Sequence, residues 1–188
     1  MYEIPSSAFE SINDYGNDKE KAVLHVFTPM RISVDGKIFP QLPKKDHGAL
    51  KKFSKKAAVI NNPALIEFTN DEIKIHDEQG NVIRTEKIDM VDFVQFGALR
   101  TFMVFPAYTF AMTMVIGVHD QHYYVVNPNF TPFQLLTPIL KQHSVTIEDP
   151  FDIAKLPSNE QREDYFGNSY EQKIKGTNYP LSLEWWPF

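Results

Sequence analysis

The chain contains no cysteine among its 188 residues. Disulfides, thiolate nucleophiles and cysteine-based zinc sites are excluded together, and a reducing, cytoplasmic setting is the expectation. Glycine is sparse, with eight residues scattered along the chain. They build no phosphate-cradling loop and no dinucleotide fingerprint, and no G-x-S-x-G nucleophile turn occurs. The first twenty residues, MYEIPSSAFESINDYGNDKE, lack a basic start and an apolar stretch, so no signal peptide is expected. A net positive charge is lacking too: the formal charge is −5, which gives no general attraction to nucleic acid.

What is present is apolar and aromatic. The hydrophobic fraction is 43% and the aromatic fraction 13%, with 15 Phe and 8 Tyr, a folded composition that favours strands. One uncharged run, TFMVFPAYTFAMTMVIGV at residues 101–118, is near the length of a membrane span. Pro106 and its many β-branched and aromatic residues make two buried strands the better reading, with no transmembrane segment.

Hydrophobic period gives a coarse order of elements. Residues 21–27 form a short strand candidate, and RISVDGKIF at 31–39 reads as a hairpin about Asp35-Gly36. Residues 46–60 change to helical period, with Leu50, Phe53, Ala57 and Ile60 on one side and Lys51, Lys52, Lys55 and Lys56 on the other. Strands are then expected at 65–68, 72–76 and 82–88, with Ile73 and Ile75 inward and Arg84 and Glu86 outward. A strand at 91–96 is expected to break at Gly97, followed by strands at 99–105, 109–118 and 123–127. A helix over 132–142 is announced by Thr131 as cap, Pro132 at the first position and Gln134 completing a capping box. Pro138 is expected to kink or restart it.

Short strands followed by one amphipathic helix resemble the plan of pleckstrin-homology-like (PH-like) domains. The resemblance rests on FTNDEIKI at 68–75, similar to the strand–turn–strand opening of bacterial PH-like and GRAM-like domains, and on IDMVDFVQF at 88–96. It rests also on residues 120–127 with the helix after them, and covers about 63–142. It implies a β-rich α+β fold: an antiparallel sandwich or partly open barrel, capped by a C-terminal helix, with an extra amphipathic helix before the main sheet. The loop that is basic in phosphoinositide-reading members is here Asp77-Glu78-Gln79-Gly80-Asn81, which is acidic and points the resemblance toward scaffold rather than headgroup reader.

The organisation expected is a lead-in at 1–20, one β-rich domain at 21–148 with the basic helix at 46–60, and a proline-interrupted aromatic tail at 149–188 that packs on the domain or on a neighbour. Two additions could bind. Lys51, Lys52, Lys55 and Lys56 are a candidate surface for a protein or an anionic membrane, set against the plain reading of a solvated helix face. Trp185, Trp186 and Phe188 at the terminus suggest self-docking or exchange with a second copy, giving a homodimer. His119-x-x-His122 around Asp120 invites a metal but fits a hairpin turn better, and the acidic groups Asp89/Asp92 and Glu148/Asp149/Asp152 fit solvated carboxylates better than acid–base pairs. The function expected is a non-catalytic interaction module, not an enzyme, with no cofactor and no metal, contacting a partner through the lysine helix and an exposed strand edge. The alternative is a carrier of a small apolar ligand among Phe102, Phe105, Tyr108, Phe110, Met112 and Met114. A hydrolase or metalloenzyme stands third.

Overall fold

The apolar run that resembled a membrane span supplies the end of one and the whole of the other of the two longest strands among the described residues. In the computed structural model, which describes residues 1–9, 28–34, 37–39, 65–77, 80–104, 107–127, 130–156 and 158–182, β6 (Phe93–Val104) and β7 (Ala107–Val118) form a hairpin of twelve residues a side. β-Branched and aromatic residues make up about half of the two strands and other apolar residues most of the rest, which suits strands covered on both faces. No helix among the described residues is long and apolar enough to cross a membrane.

Seven shorter strands complete the sheet: β1 (Thr28–Val34), β2 (Lys37–Phe39), β3 (Leu65–Phe68), β4 (Glu72–His76), β5 (Val82–Lys87), β8 (Gln121–Asn127) and β9 (Thr146–Glu148). The order is β5-β4-β3-β1-β8-β7-β6-β9, with β2 beside β1. With β2 set aside, the strands fall into two four-stranded halves joined at β1. One half pairs β1 with β3 through Met30–Ile66, and the other reaches β1 through Thr28–Val125 and Pro29–Val126.

The β-rich α+β class is as expected, but one finer expectation is corrected. Pairing is mixed rather than all antiparallel: β1 runs parallel to both β3 and β8, and β9 runs parallel to β6. Every parallel pair involves β1 or β9, which the local alternation of residues 63–142 could not register. The strands do not close into a barrel among the described residues: the order ends at β5 and β9.

Gly97 does not break its strand. It lies in the middle of β6 opposite Thr113, where a Cβ would collide with the Tyr179 hydroxyl. Glycine is there because another part of the chain approaches the backbone. Gly117 serves likewise under the ring of Phe93, which a Cβ would strike.

α1 (Thr131–Gln142) begins one residue earlier than expected, with Phe130 at the cap position and no side-chain capping bond. It continues through Pro138. Pro138 and Gln134, whose carbonyl loses its partner at the proline, are both exposed, so water can take that carbonyl. Leu136, Ile139 and Leu140 turn inward, and Phe133 meets Phe96 of β6 edge-on at 4.5 Å.

The segment after β9 contains α2 (Arg162–Gly167) and α3 (Tyr170–Lys173). Phe151, Ile153, Leu156, Phe166, Tyr170 and Tyr179 from this segment share one core with Ile4 and Ala8 from the N-terminus and with the strands. Phe110 of β7 lies 5.2 Å from the Phe166 ring and 5.3 Å from that of Tyr170. The strand candidate at 21–27, the basic helix at 46–60 and the terminal residues 183–188 lie outside the described residues.

Candidate interaction edge

β5 lies at one end of the strand order and, among the described residues, pairs only with β4. A strand paired on one side presents a row of backbone donors and acceptors to any chain that can lie beside it. Val82 and Ile83 are each 49% exposed, and Thr85 and Lys87 are exposed as well.

The register of this edge reverses what alternation suggested. Arg84 stands opposite Ile75 and Glu86 opposite Ile73, both of which are buried. Directly opposed residues share a face, so Arg84 and Glu86 point inward. Thr85 and Lys87 are the outward pair, across from Lys74 and Glu72, which are themselves joined at 3.3 Å. The register shifts beside Ile75 and His76, and Ile83 is left without an opposite number. A bulge of this kind sits at sheet edges and re-aims the side chains beyond it.

The inward charges are held by partners from the other half of the sheet. Arg84 Nε donates to Glu86 Oε1 at 2.7 Å, and its guanidinium lies 5.7 Å from the Tyr123 ring centre. The Tyr123 hydroxyl has Glu86 Oε1 and Gln121 Oε1 each 3.1 Å away and can donate to either. Burial, then the negative charge of Glu86, push the Tyr123 phenol well above its usual range. It is a neutral donor at any physiological pH. Behind this edge, Glu67 and His76 form a buried contact at 2.7 Å, and His76 Nδ1 lies 3.2 Å from the Gly80 carbonyl oxygen.

No protein-family model, curated protein or solved structure matches this chain. What the site can do therefore rests on its own geometry.

The candidate histidines and carboxylates among the described residues are engaged structurally. His122 stacks on Tyr2 with ring centres 4.3 Å apart and lies 5.9 Å from Phe93. Burial lowers its pKa despite the opposing charges of Asp120 and Asp92. His119 takes the left-handed turn position, φ 53°, and its backbone N–H donates to Asp92 at 2.7 Å. No group of three or more His, Asp or Glu side chains that could hold a metal ion is found among the described residues.

Asp89 is paired with His143 rather than with Asp92. Asp149 accepts the backbone N–H groups of Ile153 and Ala154. Asp152 is bound by Lys155 and Lys173, whose hydrogen bonds hold its pKa low. Of the aromatic set, Phe110, Met112 and Met114 are buried in the common core and Tyr108 is 39% exposed. Phe105, Lys51, Lys52, Lys55, Lys56, Trp185, Trp186 and Phe188 lie outside the described residues.

The Arg84–Glu86–Tyr123 group escaped sequence reasoning, because the bulge beside Ile83 shifts the alternation. A run of two apolar residues followed by alternating charges, VIRTEK, was the local signal available.

Proposed function

We propose that this protein is a non-catalytic interaction module that receives an extended segment of a protein partner along β5. The observation that carries the reading is the combination of one-sided pairing among the described residues with exposed Val82 and Ile83. Addition of a strand to an open edge takes affinity from main-chain hydrogen bonds and selectivity from alternate side chains. The outward residues of β5 are Thr85 and Lys87 and the inward ones are Arg84 and Glu86, so both faces of an incoming strand would meet polar or charged neighbours.

The PH-like reading of residues 63–142 belongs to the same proposal. Within that stretch every strand pair is antiparallel, in two three-stranded runs, β3-β4-β5 and β6-β7-β8, followed by α1. A scaffold of that order presents open edges and packs its helix against the sheet. Lys51, Lys52, Lys55 and Lys56 remain a second candidate, for an anionic partner.

Selection of ten-residue peptides from a random displayed library tests the reading. Selected peptides are expected to bind the chain and to lose binding to Thr85→Pro, which removes an edge amide. Peptides that bind Thr85→Pro as well as the unaltered chain would place the contact elsewhere.

A further inference from the structure

Resting on the reading of β5 as a contact edge, we infer that the strand which completes it is β5 of a second copy, antiparallel about a two-fold axis through Thr85. The bulge confines regular pairing to the residues beyond Ile83, leaving Arg84, Thr85, Glu86 and Lys87 as the usable stretch. An antiparallel self-pair has few registers over so short a length, and charge separates them. An axis on Glu86 sets Glu86 against Glu86. An axis between Thr85 and Glu86 sets Arg84 against Lys87. An axis between Arg84 and Thr85 leaves every charge opposite a neutral or apolar residue. Only an axis on Thr85 sets Arg84 of each copy against Glu86 of the other, twice.

That register also uses each face well. Opposed residues of paired strands lie on the same face, so the four charges gather on the inner face. There each Arg84–Glu86 pair is already fixed at 2.7 Å and anchored by a Tyr123 hydroxyl at 3.1 Å. Arg84 and Glu86 are 38% and 19% exposed, so the pairs are partly desolvated, where opposite charges attract more strongly than in open water. On the outer face Thr85 meets Thr85, a favourable cross-strand pair. A two-fold contact is self-complementary by construction, and VIRTEK satisfies that in this register. Among the described residues β5 ends the strand order, so the union would extend the four-stranded half across the axis.

Sedimentation velocity over a concentration series tests this with four samples: the unaltered chain, Arg84→Glu, Glu86→Arg, and an equimolar mixture of the two variants. The unaltered chain is expected to form a dimer that weakens as salt rises. Each variant alone sets like charges across the axis and is expected to stay monomeric. In the mixture the introduced carboxylate of one variant faces the introduced guanidinium of the other, and the retained Glu86 faces the retained Arg84. The dimer is expected to be recovered there as a heterodimer. A monomeric unaltered chain at every concentration, a variant that dimerises alone, or a mixture of folded variants that stays monomeric would each overturn the inference. Should Arg84→Glu or Glu86→Arg fail to fold, Thr85→Lys decides instead. It changes only an exposed outward residue and puts two ammonium groups on the axis. It is expected to be monomeric, and a dimer of Thr85→Lys would overturn the register. If the chain is monomeric yet selected peptides still depend on Thr85, the self-pairing inference is overturned while the contact edge itself stands, its occupant being a different protein.

Discussion

The two halves of the sheet are built to different standards. The half containing β6 and β7 has twelve-residue strands, and rings of α1 and of the segment after β9 pack on it, Phe133 on Phe96 and both Phe166 and Tyr170 on Phe110. The half ending in β5 has strands of four to seven residues, and its last strand alternates exposed with half-buried positions. Buried apolar surface is what stabilises a fold, whereas an uncovered edge with charged neighbours is what a partner can use. The comparison assigns stability to the first of these halves and contact to the second.

The strongest way to break that assignment is to truncate one apolar residue in each half. Phe110→Ala removes a ring set between Phe166 and Tyr170 and is expected to cost about 3–5 kcal/mol. Ile83→Ala removes a side chain that is 49% exposed and is expected to change stability by no more than about 0.5 kcal/mol. Urea denaturation of both variants measures this, and similar losses would erase the distinction.

A second test concerns how the chain's C-terminal segment is fastened to β6. A methyl group on Gly97 would strike the Tyr179 hydroxyl and also come 2.7 Å from Thr113 Oγ1. Gly97→Ala is expected to cost about 1–3 kcal/mol. Tyr179→Phe alone gives up the buried hydroxyl pair with Thr113, 3.1 Å long, at about 1–3 kcal/mol. Combined, the two changes are expected to cost less than their sum, because the hydroxyl that the added methyl group would strike is gone. Strict additivity in a double-mutant cycle would mean that Gly97 is not shaped to Tyr179.

The joint between helix and strands is expected to be pH-sensitive, with a smaller effect. His143 Nδ1 lies 2.5 Å from Asp89 Oδ1 and Nε2 lies 2.8 Å from the Asn70 carbonyl oxygen. Both neighbours are acceptors, so both ring nitrogens donate only in the imidazolium form. The hydrogen bond to Asp89 leads in raising the His143 pKa above 6.5. A raised folded-state pKa gives stability that is fully present below the unfolded value and is lost as pH rises through the folded one. His143→Ala should therefore lower the urea midpoint most below pH 6.5 and progressively less above it. His122 has the opposite sign: its lowered pKa gives stability that is lost as pH falls. A His143→Ala deficit that grows with pH would show that the imidazolium is not what Asp89 and Asn70 hold.

The same comparison explains what could be read from residues alone. The hairpins β3–β4 and β6–β7, and α1, follow from period and turn residues, which are local. The parallel strands β1 and β9 join residues far apart in sequence, Met30 with Ile66 and Phe93 with Thr146, and no local pattern encodes that. Gly97 looked like an interruption because the side chain it admits, that of Tyr179, comes from far along the chain. At the edge, an open strand could be anticipated, but the facing of Arg84 and Glu86 could not. One unmatched residue, Ile83, inverts the alternation on which such facing is read.

Amide hydrogen exchange at two protein concentrations tests the central claim most directly. At low concentration the β6–β7 amides are expected to be the slowest in the chain and those of β5 among the fastest of the strands. At high concentration β5 alone among the strands is expected to gain protection, as its open edge is filled. Equal protection of β5 and β7 at low concentration, or a β5 that exchanges identically at both, would contradict the account.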